Sequence, residues 1–275
     1  PYTFRSGGPG SGLHVTRDGG RTWQRLGTSD GMPPGELGRI GLAIAPSNPD
    51  IVYALVEAKA NVILKSTNGG LSFRTVCDDE NVAPRPFYYA DIFVDPKDPN
   101  RVYNLHSLIT VSTDGGRSFD TLAGWNVHPD HHALWINPDN PHHLINGNDG
   151  GISISHDQGR SWRFVRTLPL AQFYHLTHDM ETPYNVYGGL QDNGSWRGPS
   201  DVWENGGIRN HHWQELCFGD GFGTVPDPTN PDVGYAMSQQ GNIVRWNFKT
   251  GERKDVKPIG PEGTDLRFSW NAAIA

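Results

Sequence analysis

One eight-residue phrase recurs four times along this 275-residue chain. Thr16-Arg17-Asp18-Gly19-Gly20-Arg21-Thr22-Trp23 returns as Ser66-Thr67-Asn68-Gly69-Gly70-Leu71-Ser72-Phe73, as Ser112-Thr113-Asp114-Gly115-Gly116-Arg117-Ser118-Phe119 and as Ser155-His156-Asp157-Gln158-Gly159-Arg160-Ser161-Trp162. The starts lie 50, 46 and 43 residues apart. A second element repeats out of phase with the first: Pro46-Ser47-Asn48-Pro49, Pro96-Lys97-Asp98-Pro99, Pro138-Asp139-Asn140-Pro141 and Pro228-Thr229-Asn230-Pro231, with a degenerate copy at Met180-Glu181-Thr182-Pro183. A period of this length is the mark of a repeat architecture, in which each unit buries its faces against its neighbours.

Each unit holds four short strands. In the fourth they fall near His132–Ile136, His143–Asn146, Gly151–Ser155 and Ser161–Val165. The Pro-x-x-Pro element sits between the first two, where a residue without an N–H marks a turn. The Ser-x-Asp-x-Gly phrase sits between the third and fourth. Its Asp can accept from turn amides, its Gly supplies a positive φ, and its aromatic opens the next strand. Composition agrees: 34 Gly, 21 Pro and nine Trp suit a turn-dense sheet protein, and no apolar period of 3.6 residues runs far enough for a helix. The pattern predicts an all-β propeller of four-stranded blades, with residues 1–275 forming one domain. Five full blades are expected, with inner strands near Ile40, Tyr89, Ala133, Phe173 and Phe222. Partial blades are expected at both ends. Gly12–Val15 and Trp23–Leu26 supply strands three and four, and Leu266–Ala275 reads as a lone first strand. Open edges of that kind predict a piece of a longer polypeptide, a ring of seven or more blades.

Several functions drop out. With 23 Lys+Arg against 30 Asp+Glu the formal net charge is −7, and no basic run exists, so nucleic acid is excluded as a partner. No apolar run approaches the ~18 residues of a transmembrane segment. Pro1-Tyr2-Thr3-Phe4 is neither an initiator Met nor a signal peptide. Cys77 and Cys217 make neither a disulfide framework nor a metal pattern, and read as small buried hydrophobes. No P-loop, dinucleotide fingerprint or Ser-His-Asp order is present, and no cofactor is expected.

Antiparallel alternation places the first and third turns of every blade on one side. The repeated elements occupy those turns, so Asp18, Asn68, Asp114 and Asp157 are read as structural. The opposite face carries the second turns, at His106-Ser107, Asn148-Asp149-Gly150, Gln191-Asp192-Asn193 and Gln239–Asn242. It is also expected to carry the links Cys77–Ala90, Trp125–His132, Pro169–Gln172 and Arg197–His212. That face gathers Asp91, Asp130, His131, His132, Asp149, Gln172, Tyr174, Gln191, Asp192, Asn193 and Asp220, with Trp213 counted beside them, a candidate ligand face. Asp149 and Asp192 also have plain hairpin chemistry, since Asx before Gly suits a tight turn. Trp125, Trp203 and Trp213 can stack on sugars or be buried between blades. His131-His132, His142-His143 and His211-His212 are adjacent pairs, which on a regular strand point to opposite faces. No metal site is therefore read from them.

The octads resemble the Asp-box, or bacterial neuraminidase repeat, and three match its pattern fully; the second has Asn68 at the Asp position. Over essentially its whole length the chain resembles the bacterial sortilin-like propellers often labelled "glycosyl hydrolase". The resemblance lies in His131-His132-Ala133-Leu134-Trp135-Ile136-Asn137-Pro138, Asn146–Gly151, Gln172-Phe173-Tyr174, Tyr184–Trp196 and Leu266–Asn271. It implies an exported, extracytoplasmic protein: periplasmic, secreted or on the outer surface. It also implies one of two activities. The first is a non-catalytic binding or assembly subunit with protein partners, such as a larger membrane-protein complex. The alternative is a glycoside hydrolase acting on a glycan, with Asp149, Asp192 and Asp220 as candidate carboxylates. Such a hydrolase needs two carboxyls roughly 5–5.5 Å apart for retention or 6.5–9.5 Å for inversion. A sialidase is disfavoured, because only Gly38-Arg39-Ile40-Gly41 echoes its arginine element.

Overall fold

The computed structural model describes residues 6–89, 91–122 and 127–274. Among these residues there are 22 strands, four 3-10 turns and no α-helix. They fall into two compact units, Pro1–Leu168 and Pro169–Ala275. The first unit opens with a two-stranded pair, β1 (His14–Val15) and β2 (Gln24–Arg25). Three four-stranded sheets follow. They are β3 (Ile40–Ile44) to β6 (Arg74–Cys77) through β4 (Val52–Val56) and β5 (Val62–Ser66); β7 (Asp91–Val94), β8 (Val102–Leu105), β9 (Ile109–Ser112) and β10 (Asp120–Thr121); and β11 (His131–Ile136), β12 (Leu144–Asn148), β13 (Gly151–Ser155) and β14 (Arg163–Phe164). The second unit holds two more sheets. They are β15 (Phe173–His178), β16 (Asn185–Leu190), β17 (Gly194–Pro199) and β18 (Gln214–Cys217), then β19 (Thr224–Asp227), β20 (Asn230–Ser238), β21 (Asn242–Asn247) and β22 (Glu252–Asp255). Every sheet is an antiparallel meander in chain order, the blade of a β-propeller, and the fold is of that class.

Burial follows from stacking blade on blade. β4 and β5 are buried at all five positions, because both sheet faces are covered. Tyr53, Leu55 and Ile63 pack against Ile92, Val94 and Val102 of the next blade. Val52, Ala54 and Leu64, on the other face, meet Leu26, Met32 and Leu37 beneath the β1–β2 pair. In the second unit Tyr187, Leu216 and Cys217 pack on Ala236 and Trp246. Each such Leu or Ile contributes about 1.5–3 kcal/mol on burial.

The turns explain the repeats atom by atom. Ser112 Oγ accepts from Gly116 N (2.8 Å) and donates to Asp114 Oδ1 (2.7 Å). Asp114 Oδ1 accepts from the amides of Arg117 (2.9 Å) and Ser118 (3.1 Å), and its Oδ2 accepts the Ser118 hydroxyl (2.7 Å). Asp18 and Asp157 do the same with Thr22 and Ser161. Asn68 holds the Leu71 and Ser72 amides with Oδ1, but its Nδ2 donates to Ser72 Oγ, reversing one bond. Hydrogen bonds from Thr22, led by its amide, bring Asp18 down to about 2, and those from Ser161, led by its hydroxyl, do so for Asp157. At Asp114 burial works upward, but the hydroxyls of Ser118 and Ser112 and two amides outweigh it, again to about 2.

The other repeated turn has a cap that its prolines do not reveal. Asp95, Asn137 and Asp227 stand immediately before it, and each Oδ1 takes two amides inside it.

The strand layout departs from expectation in three places. Leu266–Ile274 forms no strand; its Trp270 carbonyl instead accepts from Gln240 N at 3.0 Å, and residue 275 lies outside the described residues. Pro231 lies inside β20 rather than in a turn, next to a register shift at Pro226/Asp227 that accommodates it. Arg197–His212 is not a link between blades: it runs from β17 to β18, the third turn of its blade. It therefore belongs to the side of the structural turns, not to the candidate ligand face.

Candidate functional site

In the first unit the second-turn side collects an arginine–aromatic group. The turn 85–89 closes when Arg85 O accepts from the amides of both Tyr88 and Tyr89 (2.9 Å each). This sets the Arg85 guanidinium over the rings of Tyr88 (4.8 Å), Phe87 (5.7 Å) and Tyr89 (5.8 Å). His132 adds an edge-on contact to Tyr88 at 5.0 Å and a tilted one to Tyr89 at 5.1 Å. Arg39 donates to Tyr88 O (2.8 Å) and reaches Asp91 at 3.6 Å. Arg85, Phe87, Tyr88 and His132 are exposed; Tyr89 is buried. Burial, then the Asp130 carboxylate, pushes the Tyr89 phenol up.

His131 and His132 do diverge, across a register shift in β11. His131 is buried, its Nδ1 2.8 Å from Asn146 Oδ1, and its amide donates to His106 O. Burial holds it below the usual imidazole range. His106 is 5% exposed; its Nδ1 accepts from Leu108 N, and burial, then the neighbouring His131, lowers it to about 4. Asp130 sits at φ 61 and its carbonyl accepts from Asp149 N (3.1 Å). Asp149 itself is exposed in the two-residue hairpin between β12 and β13.

The second unit gathers its own group. Gln172 Nε2 donates to Gln191 Oε1 (2.8 Å), and Asn193 Nδ2 donates to Gln191 O (2.9 Å). Asp192 has φ 56, a left-handed turn position. Asp220, 7% exposed, spends both carboxylate oxygens on structure: Oδ1 accepts from Asp192 N (2.8 Å) and Oδ2 from Trp270 Nε1 (3.0 Å). Its own amide donates to Gln239 Oε1 (3.0 Å). Tyr174 meets Phe222 in a tilted ring contact at 4.7 Å, and burial, then the charges of Asp220 and Asp192, pushes its phenol up. Glycine allows the close approach here, since a Cβ on Gly221 would lie 2.3 Å from Gly194 O.

Trp213 stands apart from that group. It belongs to the third-turn excursion and lies flat on Gly198, where a Cβ would come within 2.5 Å of its ring. With Phe173, Trp196 and Leu190 it lines a pocket of about 500 Å³. Trp203 is fully exposed on the same excursion, and Trp125 lies outside the described residues. Arg85, Phe87, Tyr88, Trp270 and the capping role of Asp220 were not singled out from the sequence. The Arg-Pro-Phe-Tyr-Tyr string in a link of the predicted ligand face was a readable signal for the first three.

No family model matches the chain, and no curated protein is significantly similar. Solved structures are similar in architecture. The GH74 enzyme of Niastella koreensis shares 15% identity at TM-score 0.40 over 78% of this chain and 37% of that one. YCF48 bound to D1 peptide shares 12% at TM-score 0.43, over 88% of this chain and 74% of that one. An ancestral GH74 enzyme shares 13% at TM-score 0.44, over 88% and 34%. This chain thus spans little more than a third of the GH74 chains. The likeness is confined to the blade architecture.

Proposed function

We propose that this chain is a non-catalytic, exported β-propeller that works as a binding or assembly subunit for a protein partner. The observation that carries the reading is the employment of Asp220. A general acid or nucleophile needs a carboxyl oxygen turned toward substrate, and both oxygens of this buried group already accept from Asp192 N and Trp270 Nε1. Asp149 is an exposed residue of the two-residue hairpin between β12 and β13. The exposed Arg85, Phe87, Tyr88 and His132 group has the composition of a protein-binding patch, where Arg and aromatics dominate. The sortilin-like reading, the extracytoplasmic location and docking on a larger membrane-protein complex rest on the octads and the motifs quoted with them.

Two assays separate this from the glycoside hydrolase reading. A panel of soluble glycans is incubated with the protein and reducing ends are measured; no turnover is expected. Reducing ends that vanish in Asp192→Asn or Asp220→Asn would overturn the proposal. In parallel, in-cell crosslinking should yield one recurring protein partner with the wild type, lost with Tyr88→Ala and kept with the octad variant Asp18→Asn. A partner retained by Tyr88→Ala would remove the arginine–aromatic group from the proposal.

A further inference from the structure

The β17–β18 excursion replaces the Ser-x-Asp-x-Gly turn that three blades carry in full, and it brings three metal-ligating side chains together. Glu204 Oε2 lies 3.1 Å from His211 Nε2 and 2.9 Å from His212 Nε2. All three donor atoms lie within 4.8 Å of one another. Strand alternation, which would separate adjacent histidines, does not apply here. Asn210–His212 is a 3-10 turn, and the two rings stand 4.0 Å apart on one side of it. Gly206 (φ 101) and Gly207 (φ 75) supply the left-handed positions that return the chain toward Glu204.

We propose that Glu204, His211 and His212 form a binding site for a divalent transition metal of the zinc class. Two imidazoles and one carboxylate are a zinc ligand set, and three protein ligands leave a coordination position for water or a partner's side chain. Magnesium and calcium prefer all-oxygen sets and do not suit it. Glu204 Oε1 is 3.5 Å from Arg209 Nε, so the guanidinium engages one carboxylate oxygen and leaves Oε2 toward the histidines. The site faces solvent, with His211 and Glu204 exposed and His212 half-buried.

One hydrogen bond must change. His212 Nδ1 now accepts from Arg209 N (2.9 Å), so the neutral ring carries its proton on Nε2, toward Glu204. Metal at Nε2 requires that proton on Nδ1, as in most metal-bound histidines, which donate from the other nitrogen. The Arg209 amide then turns to water, and the 209–212 turn rearranges as the metal binds. The metal thus acts as a staple on residues 200–213, tying Glu204 near the start of the excursion to its return.

The test uses the chain as it stands, stripped with EDTA and titrated with Zn²⁺ by calorimetry and with Co²⁺ by visible absorption. One equivalent of saturable binding is expected, with Co²⁺ bands showing nitrogen ligation, no heat with Mg²⁺, and Zn²⁺ protection of the 200–213 segment from limited proteolysis. Glu204→Gln, His211→Ala and His212→Ala should each weaken Zn²⁺ by more than about tenfold. His143→Ala, at a stacked histidine pair in the other unit, should leave it unchanged. Because His211 and Glu204 are exposed, their variants should melt with the metal-free wild type. Absent saturable Zn²⁺ binding, or a full equivalent retained by all three ligand variants, would overturn the proposal.

Discussion

Replacing Asp114 tests whether the recurring octad is a turn device. Asp114→Ala removes the acceptor for two amides and two hydroxyls at 2.7–3.1 Å. Hydrogen bonds to a charged group contribute about 1.5–3 kcal/mol each, but water reaches the exposed Arg117 and Ser118 amides and recovers much of that, leaving a net loss of about 1–3 kcal/mol. Asp114→Asn should cost far less, on the order of 0.5 kcal/mol. Asn68 already shows how: Oδ1 keeps both amides and Nδ2 donates to the serine hydroxyl. The carboxyl titrates near 2 rather than 3.8. Its stabilisation is therefore fully present above 3.8 and is lost as pH falls through 3.8 toward 2. Solvent screening holds this pH-dependent part to about 1 kcal/mol or less. Urea unfolding followed by tryptophan fluorescence, at pH 7 and at acid pH, measures all three proteins. An Asn variant as damaged as the Ala variant would show that charge, not turn geometry, carries the effect. An Ala variant as stable as the wild type would show that the turn needs no acceptor.

Three further outcomes are expected. His106 titrates near 4 in the fold against 6.5 in the unfolded chain, so stability should fall as pH drops from 6.5 to 4 and level off below, by up to about 3 kcal/mol; buried His131 shifts the same way, and His106→Gln should flatten most of the slope, whereas an unchanged slope would refute the assignment. Gly31→Ala should destabilise the first unit by ~3 kcal/mol or more, because φ is 91 and the new Cβ would fall 1.9 Å from Phe73 O; an unaltered urea midpoint would contradict the backbone path there. Asp220→Ala should leave Asp192 N and Trp270 Nε1 without their acceptor and cost on the order of 1–3 kcal/mol, with red-shifted tryptophan emission from the released 266–274 segment; unchanged emission would detach Trp270 from that role.

The blades were legible because their turn residues are chemically obliged. Gly20, Gly70, Gly116 and Gly159 sit at φ 88, 81, 85 and 89, and each follows an Asp or Asn that holds turn amides, so the two recur and mark where strands three and four meet. Inner strands were placed within about two residues by the same punctuation. The 197–212 excursion was misplaced for the matching reason: no octad marks that turn, so nothing in the local sequence shows that Pro199 and Gln214 end and begin paired strands. The capping residue before the Pro-x-x-Pro element was visible in Asp95, Asn137 and Asp227, but Ala45 in the first copy breaks the pattern. For Asp220 no local signal exists, since its partner Trp270 lies fifty residues away.

Aspartate therefore does two different jobs on the two sides of these blades. On the octad side each carboxylate serves amides and hydroxyls within four residues, so its role is set by local sequence and survives replacement by Asn68. On the other side Asp220 joins a hairpin to a distant segment, and Asp91 pairs with Arg39 from the preceding blade. Those contacts are long-range, and they order the loops of that side. Asp149 takes no such part and stands exposed in its hairpin, so the second-turn side holds acids that order loops beside one that faces solvent.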